Sequence, residues 1–525
     1  MQKWGEALRR PATATLFLLA LTGAFLYLSL FLLPATPRLL DGDQFINFDN
    51  ARRMVQGQTL YRDIFQYTLP GTELLEVPLI KVFGAKLALI EALLIVTYVA
   101  YVWLALRIGS TLLNGWDAAL ASLMFLCFGL HCGLDATHHI FSVLFVYLAA
   151  AVIIQSRSAP RLLLAGLFLG MATCFTQTRA LLVPAVAGFL VWDNRVKAQD
   201  ERHLLREEIS LFAPFAALVL MASAYVIWNA GPINFYRYII RFPFLHYREG
   251  QGNNWSTAFE DWVPTVRGVA VWTFMKLLVP GSYLAFFAYG WMTKRRRGGV
   301  RLPLEAVLLA VVGLALFCTV AYAPLHVRLA GISLPAFVLV IWMLNQGASG
   351  LWKVPAWGVT AAFLVMAPLK TQLQHYWFYD TPAGQVAIED HDLFSDLAWL
   401  DKHTDPGDKF FAASTPMFYV LLDLQNPARV PFVEPDGYTR PRQVARIARR
   451  LHREAPKFIL WPFSRAESDD PGDPLYLLGR ELRKDYRPVE SLPDGTVWEL
   501  NQQATNVSTK SQSQSPYRLE MPQPE

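Results

Sequence analysis

Long apolar runs occupy most of this chain, and such runs leave few choices of fold. They cover 13–33, 86–106, 118–133, 140–154, 162–175, 180–192, 209–228, 268–291, 304–322, 329–344 and 355–369, eleven in all. In hydrocarbon a segment must satisfy its own backbone N–H and C=O groups, so each run is expected to be an α-helix. A bilayer core takes about 20 residues to cross, so the shorter runs must extend into their flanks. Composition agrees: 54% of the 525 residues are hydrophobic and 17% charged, against about a quarter charged in a soluble domain. The pair 162–175 and 180–192 reads either as two spans or as one broken span.

Basic residues set the orientation. With eleven spans and an inside N-terminus, the cytoplasmic segments hold Lys3, Arg9 and Arg10; Arg107; Arg157 and Arg161; Arg195, Lys197, Arg202 and Arg206; Lys294, Arg295, Arg296, Arg297 and Arg301; and Lys353. The short loops opposite hold only Arg179 and Arg328. Merging 162–175 with 180–192 would turn the basic run at 294–297 outward, so two spans are expected. The first run suits an uncleaved helix better than a signal-peptide core. Residues 34–85, 229–267 and everything after 370 then lie outside the cytoplasm. Cys127, Cys132, Cys174 and Cys318 fall in or beside apolar runs without CxxC spacing, which supports neither a disulfide framework nor a thiolate metal site. The net charge of +5 is modest and gives no reason to expect a nucleic-acid partner.

After about Lys370 the character changes. Helical periodicity appears at 393–403 and 444–454, and short apolar strands at 409–413, 457–462 and 496–500 follow turn signals. The expected fold is thus an α-helical polytopic membrane domain over 1–370, a small extracytoplasmic α/β domain over 371–500, and a Gln-, Ser- and Pro-rich disordered tail over 501–525.

Between the first two runs lies DGDQFINFDNARRMVQGQTLYRDIFQYTLPG, residues 41–71. Asp41, Asp43, Asp49 and Asp63, with Arg38, Arg52, Arg53 and Arg62, stand beside lipid, where charge usually serves chemistry or ligand binding. The segment resembles the first extracytoplasmic loop of the GT-C glycosyltransferases that use polyprenyl-phosphate sugars, in particular the dolichyl-phosphate-mannose-type protein mannosyltransferase and aminoarabinose transferase families. That loop reads Asp-Glu, an Ala-Arg helix, Gly, Tyr-Arg-Asp, Pro-Pro-Gly and Phe-Gly. The matching residues are Asp43-Gln44, Ala51-Arg52-Arg53, Gly57, Tyr61-Arg62-Asp63, Leu69-Pro70-Gly71 and Phe83-Gly84. Gln44 replaces the second acid and Leu69 the first Pro.

The resemblance implies an inverting hexosyl or pentosyl transferase of the bacterial inner membrane. Its partners would be a polyprenyl-phosphate-linked sugar donor and a lipid, glycan or protein acceptor, meeting at the periplasmic face. Asp43 is then the catalytic base. A lipid phosphate leaves without protonation, so one carboxylate suffices to take the acceptor's proton; hydrolysis of a glycosidic bond needs two. The competing role for Asp43 is to cap the helix that begins at Gln44. Asp41, two residues away, is the rival for the base but lies outside the family register, and joins Gln44 as an acceptor-side or supporting residue.

Arg62, Arg179, Arg241 and Arg328 are the candidates for the donor phosphate, because guanidinium stays charged and binds phosphate oxygens in pairs. In similar transferases the position of Arg179, after Gln177-Thr178, faces the donor. Asp49 reads as one half of an exposed ion pair with Arg53, and Asp63 as an orienting or capping residue. The run HCGLDATHHI at 131–140 offers Asp135 and His138 as contacts to the first loop, with His326 a similar case beside Arg328. Asp135 and His139 would share a helix face. A divalent metal among these residues is the lesser reading, and no metal ligand or cofactor is assigned. A transporter or flippase of lipid-linked sugars is the competing function. It calls for mid-span ionisable residues and repeats, yet only Glu91 and Lys276 stand out and no repeat is apparent. A surface-polysaccharide polymerase or ligase would carry its long loop late in the chain.

Overall fold

A computed structural model describes residues 11–40, 42–197, 200–247, 266–295, 302–322, 324, 326–347, 349–434, 439–462 and 472–501. The chain divides into two compact units, Met1–Glu389 and Asp390–Glu525. Asp41 and most of the tail lie outside the described residues, as do the N-terminal basic residues and part of the run at 294–297.

Each apolar run has become a helix. In the first unit these are α1 (Pro11–Leu30), α4 (Leu87–Gly109), α5 (Gly115–Met124, prolonged by tighter and wider turns to Gly133), α6 (His138–Gln155), α7 (Ala159–Phe175), α8 (Leu182–Lys197), α9 (Glu201–Ala230), α10 (Val266–Arg295), α11 (Leu304–Val320), the broken pair α12 (His326–Ile332) and α13 (Leu334–Gly347), and α14 (Lys353–Leu373). Two shorter helices, α2 (Gln44–Val55) and α3 (Gly71–Phe83), fill the first loop. Among the described residues six helices are long and apolar enough to cross a membrane, and three more apolar helices are shorter.

The break between α7 and α8 separates two helices. Gly166 and Gly170 form a GxxxG pattern, and only their missing side chains let α9 come so near. A Cβ on Gly166 would strike the Leu211 carbonyl and Pro214, and one on Gly170 would meet Leu218 and Phe215. Both helices advance together along this contact, so α7 and α9 are parallel. The chain must return between them, and α8 is that return. Arg157, ahead of α7, pairs with Asp193 near the end of α8.

A hairpin of β1 (Trp377–Thr381) and β2 (Gly384–Ile388) completes the first unit. It belongs there because the Leu39 N–H donates to Ala387 and Arg38 pairs with Glu389. The unit boundary therefore falls after Glu389, later than the sequence expectation of 371.

The second unit holds α15 (His391–His403), α16 (Pro441–Glu454), α17 (Tyr476–Asp485) and a mixed sheet of β3 (Phe410–Ala412), β4 (Phe458–Trp461), β5 (Tyr486–Leu492) and β6 (Gly495–Leu500). The strand order is β3-β4-β6-β5, with β3 parallel to β4 and the remaining pairs antiparallel. The sequence reading located α15, α16, β3, β4 and β6. It passed over α17 and β5, whose residues are mostly charged or polar.

Candidate active site

The first loop is anchored to neighbouring helix ends by its own polar groups. Gln44 donates from its amide to the Leu40 carbonyl, 3.0 Å away, and accepts the Ala136 N–H at 3.2 Å. Asp135 accepts the Gln44 backbone N–H at 3.1 Å. The carboxylate that meets the start of α2 is therefore Asp135, from a separate loop. Asp43 occupies the cap position with helical dihedrals and makes no side-chain capping bond. Gly42 makes this possible, since a Cβ there would lie 2.9 Å from the Asp135 carboxylate. Asp135 sits in an irregular turn stretch and α6 begins only at His138. The expected shared helix face of Asp135 and His139 does not form.

Further along, the Tyr-Arg-Asp element makes a tight, strained turn. Tyr61 is buried with a left-handed φ of 66°, a conformation that costs an aromatic residue on the order of 1–3 kcal/mol. Its hydroxyl donates to the Thr68 carbonyl at 2.6 Å and its N–H to Ile64 at 2.8 Å, which holds the turn. Asp63 accepts the Thr59 N–H at 2.9 Å and pairs with Arg62 at 2.9 Å. Arg62 is more than half exposed and is spent on that pair. Asp49 pairs with Arg52 at 2.8 Å, both buried, in place of the expected exposed pair with Arg53. α2 is buried on most of its surface, and the i,i+3 partner is the one within reach. Beneath the turn Gln66 bridges Asn47 and Glu73, and Asn50 also donates to Glu73. Burial pushes the Glu73 carboxyl above its ordinary range, against these hydrogen bonds.

Asp43 is exposed, and its charge acts on Arg328 near the start of α12. Arg328 donates to the Tyr247 hydroxyl at 2.9 Å and lies over the Tyr322 ring. Tyr247 packs against Tyr67 of the first loop in a tilted pair, with centroids 4.9 Å apart, and Tyr67 also contacts Phe65 and Phe242. Gln177 fixes the same place by donating to the Tyr67 carbonyl at 2.7 Å. Two residues on, Arg179 is 1% exposed and donates to the hydroxyls of Ser142 and Thr319. Arg328 and Arg179 sense each other's charge, and both act on buried His138.

Of the expected residues, Arg328 feels the charge of Asp43 and acts on Arg179 and His138, while Gln44 and Asp135 bond to each other at the start of α2, beside Asp43. Arg241 is exposed on a wide helical turn at Tyr236–Arg241, and no described contact brings it to the group. His326 opens α12, and its side chain lies outside the described residues. The histidines at 131–139 do not meet the geometry of a three-ligand metal site; among the described residues one group does, and it lies in the second unit. Sequence reasoning missed Tyr247 and Tyr322. Their signal was faint: Tyr322 closes the run 304–322, where an aromatic reads as an interfacial anchor, and Tyr247 lies in the polar segment 229–267.

No protein-family model matches the sequence, and no curated protein matches it. Solved structures do match. ArnT from Cupriavidus metallidurans bound to undecaprenyl phosphate superposes with a TM-score of 0.58 at 11% identity, covering 93% of this chain and 98% of that one. Its apo form gives 0.56 at 12%. The archaeal oligosaccharyltransferase AglB from Archaeoglobus fulgidus, in complex with an inhibitory peptide and a dolichol-phosphate, gives 0.52 at 10% over 93% of this chain and 74% of its own. The chain has a GT-C fold. At these identities the likeness is one of fold. The loop whose residues resembled the family is the loop that carries Asp43.

Proposed function

We propose that this chain is an inverting glycosyltransferase that moves a sugar from a polyprenyl-phosphate donor to an acceptor at the periplasmic face of the bacterial inner membrane. The observation that carries the reading is one exposed carboxylate, Asp43, whose charge acts on Arg328, an arginine held by Tyr247 against Tyr67 of the first loop and acting in turn on buried Arg179 in the turn between α7 and α8. Undecaprenyl phosphate in ArnT and dolichol-phosphate in AglB are the ligands of proteins with the same fold, which favours transfer over transport.

The chemistry follows from the groups present. An acceptor oxygen attacks the anomeric carbon as the bond from that carbon to the lipid-phosphate oxygen breaks. The acceptor's proton passes to the Asp43 carboxylate. The departing phosphate carries negative charge, which Arg328 and Arg179 offset where water is scarce. One displacement inverts the anomeric centre. The lining of Tyr67, Tyr247 and Tyr322 supplies flat apolar area with polar tips, suited to a sugar ring and its hydroxyls. Sugar and acceptor identity rest on contacts of this lining with groups that an isotope-labelled donor panel would identify.

The test is transfer from labelled polyprenyl-phosphate sugars by membranes carrying wild type or Asp43→Asn. General-base removal costs about 10²–10⁴ in rate, so Asp43→Asn should lose at least a hundredfold while keeping its amount and melting midpoint. Equal transfer by the two proteins rejects Asp43 as the base.

A further inference from the structure

The second unit carries a side-chain cluster for which glycosyl transfer has no use. Glu481 and Asp485 stand four residues apart on α17 and share a face. His452, in the last turn of α16, meets them. Its Nδ1 lies 2.9 Å from an Asp485 oxygen and 4.0 Å from a Glu481 oxygen. One ligand atom from each residue falls within 4.8 Å of the others, the one such trio among the described residues.

Imidazole with two carboxylates is a donor set for zinc and neighbouring divalent ions, and the two carboxylates match a dication's charge. Ligands at about 2.0–2.1 Å in a tetrahedron stand about 3.3 Å apart, and the observed separations straddle that value. Both helices are held in place. α16 buries Val444, Ile447, Ala448 and Leu451, and the Asp485 carbonyl accepts the Asn501 N–H at 2.9 Å.

Arg480 and Lys484, 3.8 and 4.0 Å from the same carboxylates, compete weakly from the exposed side.

We propose that His452, Glu481 and Asp485 bind one divalent cation of the zinc class, clamping α16 to α17. The site is structural, and the transfer reaction does not depend on it. The experiment uses full-length, tag-free protein in detergent, stripped with chelator, and titrates Zn²⁺ by calorimetry and Co²⁺ by visible absorption. One equivalent should bind and raise the melting midpoint, as binding to the folded state requires. His452→Ala and Asp485→Asn should each weaken binding at least about tenfold, the lower bound seen even for outer-shell partners. His452→Cys should retain binding and add a thiolate charge-transfer band with Co²⁺, while His391→Ala should match wild type. No saturable equivalent, or binding unchanged in His452→Ala, overturns the proposal.

Discussion

The two ends of the helical bundle treat charge in opposite ways. At one end Asp117 of α5 accepts from Asn114, Asn345 and Lys353, all within 2.8 Å, which ties α5, α13 and α14 together. Nearby on the same side of the helices, Asp193 takes both Arg157 and Lys197. At the other end Arg179 is as deeply buried as Asp117, yet its partners are two hydroxyls, and among the described residues no carboxylate pairs with it. Saturated charge holds helices in place. Buried charge met only by hydroxyls and a second arginine is a standing attraction for an anion.

That contrast is open to direct attack. The largest effect is expected at the saturated end. Asp117→Ala should lower unfolding free energy by about 3 kcal/mol, the low side for a broken buried pair because Lys353 keeps some water access. Transfer per folded molecule should be unchanged, as denaturant melts paired with activity on the surviving fraction would show. At the other end the outcomes should exchange. Arg179→Gln and Arg328→Gln should each cut transfer by about 10- to 100-fold, the worth of a charged hydrogen bond of roughly 1.5–3 kcal/mol. Their melting midpoints should hold or rise, since each change removes like-charge repulsion. A variant that unfolds yet keeps its activity per folded molecule would place Arg179 with the latches.

The smallest effect concerns a buried carboxylate without a cation. Asp396 in α15 accepts the Asp494 N–H at 3.1 Å, and its other oxygen has no partner. Burial, reinforced by the charge of Asp494, pushes it up to about 7 from an ordinary 3.8. The folded state therefore holds this proton more tightly than the unfolded chain does. Its contribution to stability is complete below about pH 4 and declines as pH rises towards 7. Melting midpoints across that window should fall in wild type relative to Asp396→Asn, and parallel curves would remove the effect.

The bundle was legible because apolar runs of bilayer length permit one backbone solution. The return of the chain between α7 and α9 also followed from the basic residues. What escaped depends on distant partners. Asp43 and Asp135 compete for one helix start, and sequence proximity favours the wrong one; only the fold brings Asp135 beside Gly42. The Asp49 pairing failed for a related reason, since the spacing rule assumes a solvated face and α2 has little of one. Arg179 was picked by position, but its burial among hydroxyls comes from α6 and α11, far off in the chain. In the second unit the apolar strands were visible, whereas β5 alternates too little and carries too much charge to signal itself.

The glycine contact between α7 and α9 reaches beyond local packing. Two rods touching along their backbones cannot slide or splay as rods spaced by side chains can. One leads into the turn that carries Arg179, and the other into the segment that carries Tyr247. Their spacing at the end that carries Arg179 is therefore set midway along the two helices, by two absent methyl groups. A single added carbon at Gly166 would act as a wedge at the hinge of a pair of tongs, prising apart the ends that carry Arg179 and Tyr247.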